Sequence, residues 1–346
     1  MIHLTYLEAG VVGLIQGISE MFPISSLGHN VLLPAIVGGS WQRDLNVASP
    51  ESPYLAFIVG LHVATAAALL IYFRRDWARI IGGFFSSLRD RRVVTADQRL
   101  AWMIILATIP VGIVGLGFEH AFRVIFGKPV YAAAFLTLNG LILLAGERFR
   151  TRGSLAADTA IAAAAAQPAP QAEVVPQTEV VPRTELVAAG SGPSARRPAP
   201  SEVARPAGQS PAVQADMRLA GMGMAQAVII GSAQVLALLA GISRDGVTMV
   251  AGMRRGLARE DAARFAFLLA TPVILAAGAL KVPDLAGPLG NGIRGQILFG
   301  SLLSGVGAYL AVRFLLRYLR TRSLTPFGVY CVITGVACLI YLGLVK

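Results

Sequence analysis

The chain has 346 residues, 55% of them hydrophobic and 14% charged, with a formal net charge of +11 and a mean hydropathy of +0.64. That balance excludes a water-soluble globular enzyme and places the sequence among polytopic helical membrane proteins. Its Lys and Arg gather where apolar runs end rather than in a patch interleaved with aromatics, so they report membrane topology and anionic headgroups, and nucleic acid is not expected as a partner.

The N-terminus lacks a basic n-region, so no cleavable signal is expected. Residues 4–38 form two short apolar segments broken at a polar turn. Gln16 and Glu20 are four apart and share a helix face. Pro23 ends that helix, because it lacks an N–H and drives Phe22 out of the α region. Ser25, Ser26, Gly28 and His29 follow in a turn dense in hydroxyls. Apolar runs at about 54–73, 99–118 and 128–147 are each long enough to cross roughly 30 Å of hydrocarbon.

Residues 151–215 are rich in Ala, Pro, Val and Glu, with no periodicity that could bury a core, and read as a disordered cytoplasmic linker with at most a short helix near Ala156–Ala166. A second broken element covers 219–257. Its stretch Gly231–Gly246 aligns without gaps to Gly13–Gly28, pairing Gly13 with Gly231, Gln16 with Gln234, Ile24 with Ile242, Ser25 with Ser243 and Gly28 with Gly246. Spans follow at about 262–282, 294–317 and 325–344. Pro110 and Pro272 kink two of the spans. Cys331 and Cys338, the only cysteines, lie on one face of the last and read as small buried side chains.

The fold expected is therefore an all-α polytopic membrane protein of two inverted-topology repeats, 1–150 and 216–346, joined by the linker. Each repeat is a re-entrant helix-turn-helix plus three transmembrane helices. Placing both ends of the first re-entrant element outside leaves Arg43, Arg123, Lys128, Lys281, Arg294 and Lys346 outside and Arg244 within the membrane. The rest of the 30 Lys and Arg fall inside, as the positive-inside rule requires. The two polar turns then enter from opposite faces and meet near the midplane, the place of a binding site in such proteins.

Ionisable groups at that depth are functional candidates. Arg244 has a planar fork suited to a phosphate, or to an ion pair with Glu20 or Asp245. Ser25, Gly28, Ser243, Gly246 and Thr248 surround it with hydroxyls and backbone N–H groups as phosphate-binding positions. Glu20 is a general acid, a base or a metal ligand, with Gln16 orienting it or simply pairing with it. His29 could activate the Ser26 hydroxyl, protonate a leaving group or attack phosphorus itself. His3, His62 and His120 receive no role.

At these residues the chain resembles the undecaprenyl-diphosphate phosphatase family, the bacitracin-resistance phosphatases of bacterial envelopes. The first family signature, E/Q-x-x-x-E followed by P-x-S-S-x-G-H, stands intact as Gln16, Glu20, Pro23, Ser25, Ser26, Gly28 and His29. The second, P-G-x-S-R-S-G-x-T, is present as Ala240 to Thr248, and Arg264 to Pro272 is similar to R-F-S-F-L-L-x-x-P.

The resemblance implies hydrolysis of undecaprenyl diphosphate to the monophosphate, which recycles the lipid carrier of cell-wall synthesis and confers bacitracin resistance. It also implies a site opening to the outer face of the bacterial cytoplasmic membrane and a divalent cation, Mg²⁺ or Ca²⁺, with Glu20 as its candidate ligand. Glu20, Ser26, His29 and Arg244 become the catalytic set, Gln16 and Asp245 auxiliary to it. A polyprenyl diphosphate, membrane lipid and a second copy of the chain are the candidate partners. Ala240 and Asp245 depart from the family's proline and serine. They leave open a catalytically weak lipid-carrier-binding paralogue, and a polyprenyl-phosphate transporter or flippase is the other alternative.

Overall fold

A computed structural model describes residues 4–45, 53–126, 128–165, 211–286 and 292–344; Lys346 and most of the linker lie outside them. Among the described residues all regular structure is helical. Helix α1 (Tyr6–Met21) opens on a capping box, in which the Glu8 N–H donates to Thr5 Oγ1 at 3.2 Å and the Thr5 N–H donates to Glu8 Oε2 at 2.8 Å. It stops where expected, with Phe22 extended (φ −79°, ψ 148°) before Pro23. Helix α2 (Ser26–Val37) then runs back, followed by the short α3 (Gly39–Asp44).

Helices α4 (Pro53–Tyr72), α5 (Arg74–Asp90), α6 (Ala96–Phe126) and α7 (Pro129–Ala165) complete the first half. The second half begins with α8 (Pro211–Ala220) and α9 (Met224–Ser232), continues through a 3-10 turn (Ala233–Leu238) and returns in α10 (Arg244–Arg254). Helices α11 (Arg259–Ala286), α12 (Arg294–Tyr318) and α13 (Thr325–Leu344) close the chain. Five of these helices are long and apolar enough to cross a membrane, and up to seven spans result if each of two bent pairs is one. The chain is thus a multi-pass membrane protein.

Two parts differ from the sequence expectation. The segment between the first two apolar runs, unassigned from sequence, is helical: α5 turns through 85° from α4. It buries Asp76, Ile80, Gly83 and Ser87 on one face and exposes Ile81, Phe85 and Leu88 on the other, the pattern of a helix lying in the plane of the interface. The linker's two ends are also helical, since α7 continues to Ala165 and α8 begins at Pro211. A buried ion cluster ties α8 to α5 and α11. Arg264 donates to Asp216 at 2.9 Å and lies 3.1 Å from Asp76, while Arg79 donates to Asp76 at 2.7 Å and also to Asp216.

Close helix approach is carried by small residues, as expected where lipid provides no hydrophobic drive between helices. Gly13 and Gly17 of α1 rest on the α12 backbone at Gly300 and Ser304, and Gly231 of α9 rests in the same way on α6 at Ala107. The aligned glycines 13 and 231 therefore do the same work in each half. Between α7 and α13 the contact exchanges residue for residue: Gly140 meets Gly328 and Val332, and Gly335 meets Ala133 and Thr137. These contacts bring the turns after α1 and before α10 together inside the bundle.

Candidate active site

Each turn starts a helix with a serine cap. Ser25 Oγ accepts the Gly28 N–H at 3.2 Å, and the aligned Ser243 Oγ accepts the Gly246 N–H at 3.1 Å. The turns reach this common end differently. In the second, Gly241 takes a positive φ of 112°; the aligned residue in the first is Pro23, whose ring forbids that, and the positive φ of 67° falls on Ser25 instead. A Cβ on Gly28 would lie 2.9 Å from Gly241 Cα, and one on Gly246 would lie 3.2 Å from Pro23 Cβ, so the aligned positions press reciprocally on one another. Asn139 of α7 fastens the pair: its side-chain N–H₂ donates to the Pro23 carbonyl at 2.9 Å and its oxygen accepts the Ser243 N–H at 3.0 Å.

Glu20 is the centre of the arrangement. Its Oε1 accepts from Arg244 Nη2 at 2.6 Å. Its Oε2 accepts from Gln16 Nε2 at 2.8 Å and from the Ser26 hydroxyl. Gln16 is held in that orientation because its own oxygen accepts from Asn30 at 2.5 Å. A cavity of about 160 Å³ opens over this set, lined on its polar side by Glu20, Ser25, Ser26, His62, Gln234 and Arg244 and on its apolar side by Val111, Leu238 and Val273. The first residues of α2 and α10 edge it, and the N–H groups of an opening helical turn point outward with partial positive charge.

The structure thus brings together Gln16, Glu20, Ser25, Ser26, Ser243 and Arg244. Other candidates take different places. The N–H groups of Gly28 and Gly246 are occupied by the serine caps, and the Thr248 hydroxyl donates to the Arg244 carbonyl at 2.7 Å. These three shape the turns and do not line the cavity. His29 is turned away: its Nδ1 bonds the Ser25 carbonyl at 2.7 Å, and its Nε2 meets the Tyr330 hydroxyl at 2.8 Å, with the rings stacked.

Asp245 is buried outside the cavity lining, 3.7 Å from Arg244 Nε. Neither of its oxygens accepts a hydrogen bond among the described residues. Arg244 is therefore set between two carboxylates. Four residues given no role from sequence stand in or behind the site: His62, Asn30, Asn139 and Gln234. Each is a polar side chain in an otherwise apolar stretch, the signal that could have marked them.

A divalent cation held by Glu20 does not fit this donor set. Both carboxylate oxygens already accept from Arg244, Ser26 and Gln16, and a guanidinium occupies the neighbouring volume. Among the described residues, no three His, Cys, Asp or Glu side chains come together as a cage.

Comparison with known proteins agrees with the geometry. Residues 9–169 and 204–337 match the family described as "Bacitracin resistance protein BacA". The chain is 56% identical over 342 residues to "Undecaprenyl-diphosphatase 2" of Frankia alni, covering 98% of each chain. It is 54% identical to "Undecaprenyl-diphosphatase" of Mycolicibacterium paratuberculosis over 99% of each, and 36% identical to "Undecaprenyl-diphosphatase 2" of Chromobacterium violaceum over 97% of this chain and 98% of the relative.

Proposed function

The chain belongs to the BacA bacitracin-resistance family, and on that premise we propose that it hydrolyses undecaprenyl diphosphate to undecaprenyl phosphate and phosphate. The observation that carries the reading is the convergence of a serine hydroxyl, a carboxylate and a guanidinium on one cavity. The Ser26 hydroxyl already donates to Glu20, and Glu20 is paired with Arg244. A nucleophile hydrogen-bonded to its base, beside a cation and two helix N-termini, is equipment for displacement at a phosphate.

Arg244 exchanges its bond to Glu20 for the terminal phosphate and stabilises the charge that develops there. The first-turn N–H groups of α2 and α10 add donors. Ser26 Oγ attacks the terminal phosphorus, Glu20 takes its proton, and the bridging P–O bond breaks to release the lipid monophosphate. Once Glu20 has passed that proton on, water attacks the phosphoserine with Glu20 again as base, and the water's proton goes to the Ser26 oxygen as phosphate leaves. A divalent cation, Mg²⁺ or Ca²⁺, would offset the charge of the diphosphate if it entered with it; no side chain here is assigned to hold it and no step to it.

The same reading puts the protein in the bacterial cytoplasmic membrane, its cavity open to the outer face and the prenyl chain left in lipid. Its support is the family and the run of arginines around α5. A homodimer is the remaining partner, to be read from the mass of the detergent complex. The test is phosphate release from undecaprenyl diphosphate by purified protein. Ser26→Ala and Arg244→Ala are each expected to lower it by about a hundredfold or more. Lipid movement across vesicles without phosphate release would sink the reading.

A further inference from the structure

By sequence alone His62 is a lone imidazole in an apolar run. In the structure its side chain lines the cavity. Its Nε2 lies 3.3 Å from Gln16 Nε2 and 3.5 Å from Glu20 Oε2, and its side chain is 28% exposed, onto the cavity. Its Nδ1 lies 2.8 Å from the Ile58 carbonyl, one helical turn back. A carbonyl oxygen can only accept, so Nδ1 carries a hydrogen, and the neutral ring presents a bare lone pair at Nε2 toward Gln16 and Glu20. Gln16 is an amide whose oxygen is taken by Asn30, so its two N–H bonds fall on Glu20 and His62. That fixes the imidazole edge-on to the carboxylate that receives the Ser26 proton.

We propose that His62 is the proton store of this site, a positioning residue that acts through Glu20. The inference rests on the diphosphatase reading above. As Ser26 Oγ bonds to phosphorus and the bridging P–O bond breaks, the electron pair leaves on the lipid phosphate. The serine proton passes to Glu20 Oε2 and on to His62 Nε2, 3.5 Å away, as the Gln16 N–H turns off that nitrogen. Glu20 is then again a carboxylate when water arrives. It takes the water's proton, returns it to the Ser26 oxygen as phosphate departs, and His62 releases the stored proton through its exposed edge. The net proton lost to solvent is the one that hydrolysis of the anhydride produces.

The charged groups facing His62 are few. Glu20 approaches from α1, and Arg244 of α10 acts on it by way of Glu20, with Asp245 beyond. Among the described residues, no acidic or basic side chain of α11 or α12 makes an ion pair with it; α11 brings Val273 to the same cavity and Ser304 of α12 bonds the Leu61 carbonyl.

The experiment has two arms on the full-length protein in detergent. The first compares the pH dependence of phosphate release in wild type, His62→Gln and His62→Ala. Gln keeps an acceptor for Gln16 but cannot hold a proton. Both variants are expected to lose about tenfold or more in kcat with KM within about twofold, and to lose the part of the acid limb that reports a neutral imidazole. A glutamine variant with wild-type kcat and an unshifted acid limb would overturn the proposal.

The second arm needs no turnover. In protein with ring-labelled histidines, the NMR signal absent from His62→Gln is followed against pH, with and without Glu20→Gln. Its titration is expected to move when the carboxylate is removed, and an unmoved titration overturns the pairing. A wild type that releases no phosphate while this coupling is present would refute the diphosphatase reading and the proton-store role with it, leaving only the pairing of the two side chains.

Discussion

Arg244 sits between two carboxylates, and only one of them faces the cavity. Glu20 gives it up to substrate readily, because Ser26 and Gln16 remain to hold the carboxylate; Asp245 stays behind, buried and without a hydrogen-bond partner among the described residues. Whenever it is ionised, its negative charge opposes an incoming diphosphate through Arg244. Asp245→Ser is therefore expected to lower KM by about threefold or more, with a smaller change in kcat, read from initial rates at fixed ionic strength. A raised KM would mean that Asp245 helps to orient the guanidinium instead. At this scale the structure brings together Gln16, Glu20, Ser26 and Arg244, residues the sequence also groups. His29 is three residues from Ser26 along the chain, but its ring bonds the Ser25 carbonyl and meets Tyr330. His62 reaches Glu20 from a different helix, a proximity that spacing along the chain does not encode.

The two helix-turn-helix elements are held by backbone chemistry rather than by apolar bulk. Two serine caps, one positive φ in each turn and the Asn139 bridge fix how the N-termini of α2 and α10 face each other. Asn139→Leu keeps the volume and removes both bonds, leaving the Ser243 N–H buried and unpaired, at about 1–3 kcal/mol, and the Pro23 carbonyl with only the weak contact of the Cys331 thiol at 3.9 Å. The expected result is a thermal midpoint lower by several degrees and a fall in kcat larger than any change in KM, since the two turns lose their common register. A stable variant with full kcat would show that the glycine contacts alone set that register. Proline, serine and glycine marked both turns in the sequence. The asparagine did not stand out, because its two partners lie more than a hundred residues away in the chain.

Across the whole molecule, the two halves are locked by small-residue helix contacts and, at one end, by the ion cluster around Arg264. That residue reads in the sequence as part of a motif near the site, yet its work is to join α11 to α8 and α5, over the ring of Phe73. Arg264→Ala leaves Asp216 and Asp76 buried with Arg79 as their remaining cation. It is expected to cost about 3–5 kcal/mol, seen as a lower unfolding temperature, while the KM of the surviving folded enzyme is unchanged. A changed KM at wild-type stability would instead place Arg264 in substrate binding. The sequence by itself determined the membrane class, the helical character of the long apolar runs and the two turns marked by proline, serine and glycine. Hydropathy, proline and glycine are local signals that survive without a fold. Only the tertiary structure decided that α5 is a helix turned across α4, that the N–H groups of Gly28 and Gly246 are consumed by caps, and that His62 rather than His29 faces Glu20. Each of those depends on which helix faces which, and that is settled by packing between segments far apart in the chain.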